Sequence, residues 1–291
     1  MDATFLAWNF MGNRDAERMV FHYLTSTAQA AAAKADILLC NTFTELEPTI
    51  FTQKTPATIF PIGPLRTGQR SAGQVEVVGH FWQTNDNACH SFLDEQPYGS
   101  VVYVAFGSLT VMSPEQLKEI ALGLEASGRP FIWVVRSGLA SNLPTSFLDP
   151  IMGLRKGRVV EWAPQERVLA HPAVGCFVTH CGWNSTVESI RNGVPMLCWP
   201  YFTDQFTNQI YICDIWRIGL KMLQTSGGGI VTKEIVTKKI MVQRLEELLL
   251  DEGIKERVQR LKEFAETNMN EEGESIRNFN AFVELLTMPM S

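Results

Sequence analysis

The chain has 291 residues, 45% of them apolar, and a formal net charge of −6. That length and apolar share suffice for a large core and more than one domain, while the acidic balance and the absence of basic runs argue against nucleic acid as a partner. No apolar stretch is long enough to span a membrane. The first residues do not read as a signal peptide, because Asp2, Arg14 and Asp15 flank a short apolar stretch, and the six cysteines lack paired spacing, so free thiols and a cytoplasmic location are expected.

Along the chain, 19–24 is an apolar helical run whose His22 reads as structural. The stretch 61–74 is rich in Pro, Gly and Gln and looks like a linker between domains. The apolar run 101–106 fits a strand buried on both faces of a parallel sheet and leads into Gly107-Ser108. Ser113 and Gln116 frame a capping box with Pro114 at the first helical position, so a helix is predicted from there to Gly128. Strands are predicted over 131–135, 176–179 and 195–200, with 158–161 leading into the middle of the chain, and the helix after the strand 176–179 ends at Asn192-Gly193. Beyond it come a helix over 206–216, a short strand over 218–222, a flexible Gly227-Gly228-Gly229 loop, a helix capped by Thr232, and helices near 251–268 and 272–286. Strands alternate with helices, the pattern of an α/β protein with a Rossmann-like doubly wound parallel sheet.

The strand 176–179 carries the chemistry. It feeds a tight turn, His180-Cys181-Gly182-Trp183-Asn184, and a helix predicted to open at Ser185. Such a unit aims the free N–H groups of the first helical turn and the positive end of the helix dipole at one point, which suits a phosphate or pyrophosphate. Gly182 lets the backbone approach closely, and His180, Asn184 and Ser185 add hydrogen-bond donors. Ser185 and Glu188 also spell a capping box, which would hold the helix start without any ligand. The sequon Asn184-Ser185-Thr186 falls in a turn that reads as buried, and His180, Cys181 and Cys176 lack a second ligand pair at zinc spacing.

Over its full length the block 162–205 opens Trp162-Ala163-Pro164-Gln165, carries His180-Cys181-Gly182-Trp183-Asn184-Ser185 in its middle and closes on Asp204-Gln205. It resembles the signature box of plant family 1 UDP-glycosyltransferases, two-domain enzymes of GT-B architecture. The resemblance implies that the Trp162 indole lies on uracil, that Ala163 offers backbone groups to the uracil edge, and that Gln165 and Glu188 reach the ribose. It gives Ser108, His180, Gly182, Asn184 and Ser185 to the pyrophosphate, and Trp183, Asp204 and Gln205 to the sugar hydroxyls. Gln205 is similar to the closing residue of glucose-preferring members, where galactose users tend to carry His.

The resemblance further implies a C-terminal UDP-sugar domain over 90–270, a linker over 66–89, a remnant of the acceptor domain over 1–65, and a C-terminal helix over 271–291 packing back toward the first domain. Within 1–65, the run 36–42 is similar to the last strand of the acceptor domain and Glu45-Leu46-Glu47 to the helix after it. The family's general base, a His, and the Asp orienting it are expected upstream of Met1; His22, His80, His90 and His171 match no catalytic motif. The implied reaction is direct, inverting displacement of UDP by a hydroxyl of a small lipophilic acceptor. It needs no metal and no cofactor beyond the UDP-sugar, and a monomer is expected. Two alternatives stay open: a truncated module that binds the UDP-sugar without turnover, and a nucleotide-sugar epimerase, against which the Trp-Ala-Pro-Gln opening and Asp-Gln close argue.

Overall fold

The computed structural model describes residues 14–52, 57–65, 86–108, 110–136, 138–139, 143, 147, 156–223 and 235–287. In chain order they form α1 (Arg14–Ala32), β1 (Ile37–Cys40), α2 (Pro48–Phe51), β2 (Thr58–Pro61), α3 (Asp86–Asp94), β3 (Val101–Ala105), α4 (Pro114–Ala126), β4 (Phe131–Val134) and β5 (Gly157–Val160). Then follow α5 (Gln165–Leu169), β6 (Val174–Thr179), α6 (Trp183–Asn192), β7 (Met196–Cys198), α7 (Gln205–Ile210) and a π-helical turn (Tyr211–Ile215). The chain continues through β8 (Gly219–Lys221), α8 (Lys238–Leu250), α9 (Glu252–Asn268) and α10 (Glu274–Thr287). Two compact units result, one built from the described residues of 80–258 and the other from those of 11–79 together with 259–291.

The larger unit is a six-stranded, all-parallel sheet in the order β5-β4-β3-β6-β7-β8. Every residue of β3 is buried, as a central strand covered on both faces requires. Trp133, Tyr103, Phe131 and Phe177 are the largest fully buried side chains of the sheet. Tyr103 stacks on Phe177 with centroids 4.9 Å apart, and Phe131 on Phe147 at 5.9 Å. Leu117, Ile120 and Leu124 of α4 join Met241, Leu245 and Leu248 of α8 in the same core. A Cβ on Gly123 would stand 2.8 Å from Met241 Sδ, so α4 and α8 pack this closely only because α4 carries a glycine there. The chain winds outward from β3 to β5 in one direction and from β6 to β8 in the other. The order therefore reverses between β3 and β6, and the crevice at their carboxyl ends is where open α/β sheets bind ligands.

Local details depart from the sequence expectations where tertiary partners take over. Ser113 caps α4, its Oγ accepting from Gln116 N at 3.2 Å, but the reciprocal half of that box is not made. The Gln116 amide pairs instead with the backbone of Val236, donating to its O at 2.9 Å and accepting from its N at 2.8 Å. The cap of α8 is Thr237; Thr232 and the 227–229 glycines lie outside the described residues. The helix predicted over 206–216 is α7 followed by the π turn, in which Trp216 N donates to Tyr211 O at 2.7 Å. Helix α3 starts at Asp86, inside the expected 66–89 linker.

In the smaller unit β1 and β2 pair in parallel. Residues 44–46 form a turn, 47 a bend, and α2 starts only at Pro48, whose ring fixes the first helical φ. Pro61 ends β2 rather than opening a linker. Ser275 Oγ of α10 donates to Gly63 O at 2.6 Å, Asn278 Nδ2 to Pro61 O at 2.9 Å, and Thr44 Oγ1 to Glu274 Oε2 at 2.7 Å. Asn268 Nδ2 of α9 donates to Glu45 Oε2 at 2.7 Å. No described residue of α1 is buried, so His22 belongs to no core; its ring is exposed, edge-on to Phe21 at 5.6 Å.

Candidate functional site

At the reversal of the sheet, β3 delivers Gly107 and Ser108, and β6 delivers His180 and the turn into α6. Gly107 sits at φ +68°, and Ser108 is exposed. The Arg136 guanidinium, just past β4, braces this loop by donating to Ser108 O and, at 2.6 Å, to Thr110 O. Helix α6 opens at Trp183 rather than Ser185; its N-cap is Gly182, and no side chain caps it. The first intrahelical bond runs from Thr186 N to Gly182 O at 2.9 Å, so the N–H groups of 183–185 precede the hydrogen-bond ladder. Ser185 thus stands inside the helix and the capping box is not formed. What remains is a ten-residue helix whose positive end faces the crevice without a side-chain cap.

The His180 imidazole is held between two glycines. A Cβ on Gly182 would lie 2.5 Å from its Nε2, and one on Gly107 would lie 2.6 Å away. No side chain larger than hydrogen fits at either position while the ring stays in place. Its Nδ1 is buried and has no hydrogen-bond partner. Burial lowers the His180 pKa below its ordinary 6.5, against the opposing pull of the Asp204 carboxylate, so the ring is neutral at pH 7. A neutral imidazole offers one donor and one acceptor. The buried Nδ1 without a partner is a desolvation cost that the fold carries at this position.

Around it the polar side chains are already tied together. Gln165 Nε2 donates to Ser185 Oγ at 2.9 Å and to Glu188 Oε2 at 2.7 Å, while its Oε1 accepts from Tyr103 OH at 3.3 Å. Burial raises the Glu188 pKa, and the bond from Gln165 opposes that rise. Trp162 is half-buried just past β5, and Ala163 after it is buried. Asn184 is exposed, and Trp183 is half-buried with its ring 6.4 Å from that of Trp216. Asp204 is exposed, its Oδ1 accepting from Thr203 Oγ1 at 2.8 Å. Gln205 is buried, and its Oε1 accepts from Tyr201 N at 2.8 Å and Phe202 N at 3.0 Å. That oxygen is spent on the turn before α7, which leaves the amide nitrogen for a ligand.

Sequence reading missed Arg136, Tyr103 and Asn208. Asn208 had a usable signal, since it lies in the first turn of a predicted helix, four residues after Asp204. Arg136 had none, because its partners are backbone carbonyls of another loop. A second polar cluster, His90, Asp94 and His171, brings one ligand atom from each within 4.8 Å of the others. His171 Nδ1 accepts from Ala173 N at 3.2 Å, which puts the proton of the neutral ring on Nε2, 3.2 Å from Asp94 Oδ1. Both ring nitrogens are spent, and the pair ties α3 to the loop before β6 instead of presenting a metal ligand.

The site thus combines the switch point of a doubly wound parallel α/β sheet with an uncapped helix start, a half-buried neutral histidine and a cluster of linked polar side chains. A family model described as UDP-glucoronosyl and UDP-glucosyl transferase matches residues 79–268. UDP-glycosyltransferase 83A1 of Arabidopsis thaliana is 39% identical over 285 residues, which is 97% of this chain and 57% of that protein. The 7-deoxyloganetic acid glucosyltransferase of Catharanthus roseus is 40% identical over 276 residues, 90% of this chain and 55% of that protein. Among solved structures, Medicago truncatula UGT71G1 complexed with UDP-glucose superposes with a TM-score of 0.77 at 29% identity, covering 95% of this chain and 59% of that one. Phytolacca americana UGT2 complexed with UDP-2fluoro-glucose and pterostilbene gives a TM-score of 0.77 at 33% identity, covering 93% and 58%. The chain belongs to the plant family 1 UDP-glycosyltransferases, and its larger unit is their Rossmann-like donor-binding half. It spans a little over half the length of these relatives. Among the described residues no helix is long and apolar enough to cross a membrane.

Proposed function

We propose that the crevice binds UDP-glucose and that the protein of which these residues are part transfers the glucose to a hydroxyl of a small lipophilic acceptor. The observation that carries this reading is the start of α6, without a side-chain cap and beside the His180 ring, whose Nε2 faces both Gly107 and Gly182. Trp162 stacks on uracil and Ala163 supplies backbone groups to its edge. Gln165 and Glu188 take the ribose, and the ribose hydroxyls replace part of the Gln165–Glu188 bonding of the free site. Ser108, Gly182, Asn184, Ser185 and His180 surround the pyrophosphate, while Trp183, Asp204 and the Gln205 amide nitrogen meet the sugar.

Displacement at the anomeric carbon inverts its configuration. As the bond to UDP breaks, negative charge grows on the phosphate oxygens. Fixed donors at the helix start and on His180 stabilise that charge without having to reorganise, which is why no metal is invoked. An acceptor hydroxyl must also lose its proton to a base, and the family resemblance puts that base outside these residues. The complexes of the solved relatives with UDP-sugars, and the glucosyltransferase names among the sequence relatives, support glucose as cargo. Calorimetric titration of Trp162→Ala with UDP tests the placement of the base: a loss of about 1–3 kcal/mol is expected, the worth of one base stacked on an aromatic ring. Unchanged affinity would move uracil elsewhere.

A further inference from the structure

Asn208 lies on α7, one turn after Asp204, and is buried. Its side-chain nitrogen donates both hydrogens, one to Cys181 O at 2.9 Å and one to Asp204 Oδ2 at 3.0 Å. Both partners can only accept, so the amide has one workable orientation. The two partners sit at opposite ends of the proposed site. Cys181 belongs to the turn that aims Gly182 and the start of α6 at the pyrophosphate, and Asp204 faces the sugar.

Cys181 adopts φ +64°, a left-handed conformation that a side chain with a Cβ rarely takes and that surrounding bonds must hold in place. Three bonds surround it: Thr179 Oγ1 accepts from Cys181 N at 3.2 Å, Thr179 O accepts from Cys181 Sγ at 3.7 Å, and Asn208 donates to its carbonyl. Asp204, exposed to solvent, has one oxygen on Thr203 Oγ1 and the other on Asn208. The same amide therefore fixes the shape of the pyrophosphate turn and the aim of the sugar-binding carboxylate.

We infer that Asn208 is a positioning residue that joins the two ends of the donor site through one amide, holding the pyrophosphate turn by its bond to Cys181 and the sugar-side carboxylate by its bond to Asp204. The inference rests on the UDP-glucose reading of the crevice. It predicts two separable losses on removing the amide. Without the bond to Cys181 the turn relaxes and UDP alone binds more weakly, and without the bond to Asp204 the extra affinity that the glucosyl group adds over UDP disappears. Each loss is about 2- to 10-fold, the range of a single net hydrogen bond.

The test is calorimetric titration of the full 291-residue chain and its variants with UDP and with UDP-glucose. Asn208→Ala should lower UDP affinity and also the UDP-glucose to UDP affinity ratio. Asp204→Ala should lower the ratio alone, and Thr179→Val should lower UDP affinity alone. In the Asp204→Ala/Asn208→Ala double variant the ratio should fall no further than in Asp204→Ala, because both changes remove the same contact. If Asn208→Ala does not fold, Asn208→Ser takes its place with the same expectations. An Asn208 variant that weakens UDP and leaves the ratio intact, or a ratio that falls additively in the double variant, overturns the inference. Absence of UDP binding by the unaltered folded chain would instead remove the UDP-glucose reading itself, so the two failures are distinguishable.

Discussion

His180 shows how a single side chain records the purpose of its surroundings. Its ring lies between Gly107 and Gly182, its Nδ1 is buried without a partner, and burial depresses its pKa below 6.5. A histidine kept neutral by the fold takes up its proton more readily in the unfolded chain. The stability that depends on it is therefore present above about pH 6.5 and is lost as pH falls from there toward the lowered folded pKa. Glu188, with its raised pKa, has the opposite sign, favouring the fold less as pH rises above 4.5. Comparing variants isolates the histidine: between pH 7.5 and 5.5 the unaltered chain should lose more melting temperature than His180→Gln, and equal slopes would deny the buried neutral state. Gln205 is the other residue with a sharp expectation. Since its oxygen is held by Tyr201 and Phe202, only the nitrogen is left for the proposed sugar contact. Gln205→His should shift the preference toward UDP-galactose, as competition between the two donors for binding would reveal; an unchanged ratio would remove the reason for naming glucose. The residue identities of this site were legible because a fixed run of motifs names them. Their partners were not, since bonds such as those from Gln165 to Ser185 and Glu188 depend on helices separated by 20 and 23 positions in sequence.

At the scale of elements, the outcome at α6 bears most directly on function. Sequence alone left two accounts of Ser185 and Glu188, a capping box or a ligand site, because both use the same side chains. The helix opening at Trp183 removes the capping box, since Ser185 is then too far inside to cap. Gly182→Ala tests the packing that results. Its φ of −62° tolerates alanine, so the added Cβ acts only by pushing the His180 ring. A loss of UDP affinity of 10-fold or more with a near-unchanged melting temperature is expected, whereas unaltered binding would show that the ring does not need its place between the glycines. Buried strands and helix existence were readable from apolar runs and caps. Helix starts near Pro48 and Thr237, and the partnership of Gln116 with Val236, were decided by local proline geometry and by tertiary bonds that no periodicity encodes.

For the molecule as a whole, alternating strands and helices announced a parallel doubly wound sheet, but not its order. That order, with its reversal between β3 and β6, is what brings Gly107, Ser108 and His180 to one crevice from positions about seventy residues apart. The larger unit holds each residue assigned to the donor and has its own core around Trp133, Tyr103 and Phe177. In the smaller unit α10 is anchored through Ser275 and Asn278 to the end of β2 and the residues just after it, and Phe279, Val283, Leu285 and Leu286 remain exposed along it. The central claim concerns the larger unit, and one titration addresses it: UDP against ADP by calorimetry on the folded chain, in buffer containing EDTA. Saturable binding of UDP, with ADP at least 10-fold weaker, is the predicted result. No saturable heat from UDP in a sample that melts cooperatively would contradict it.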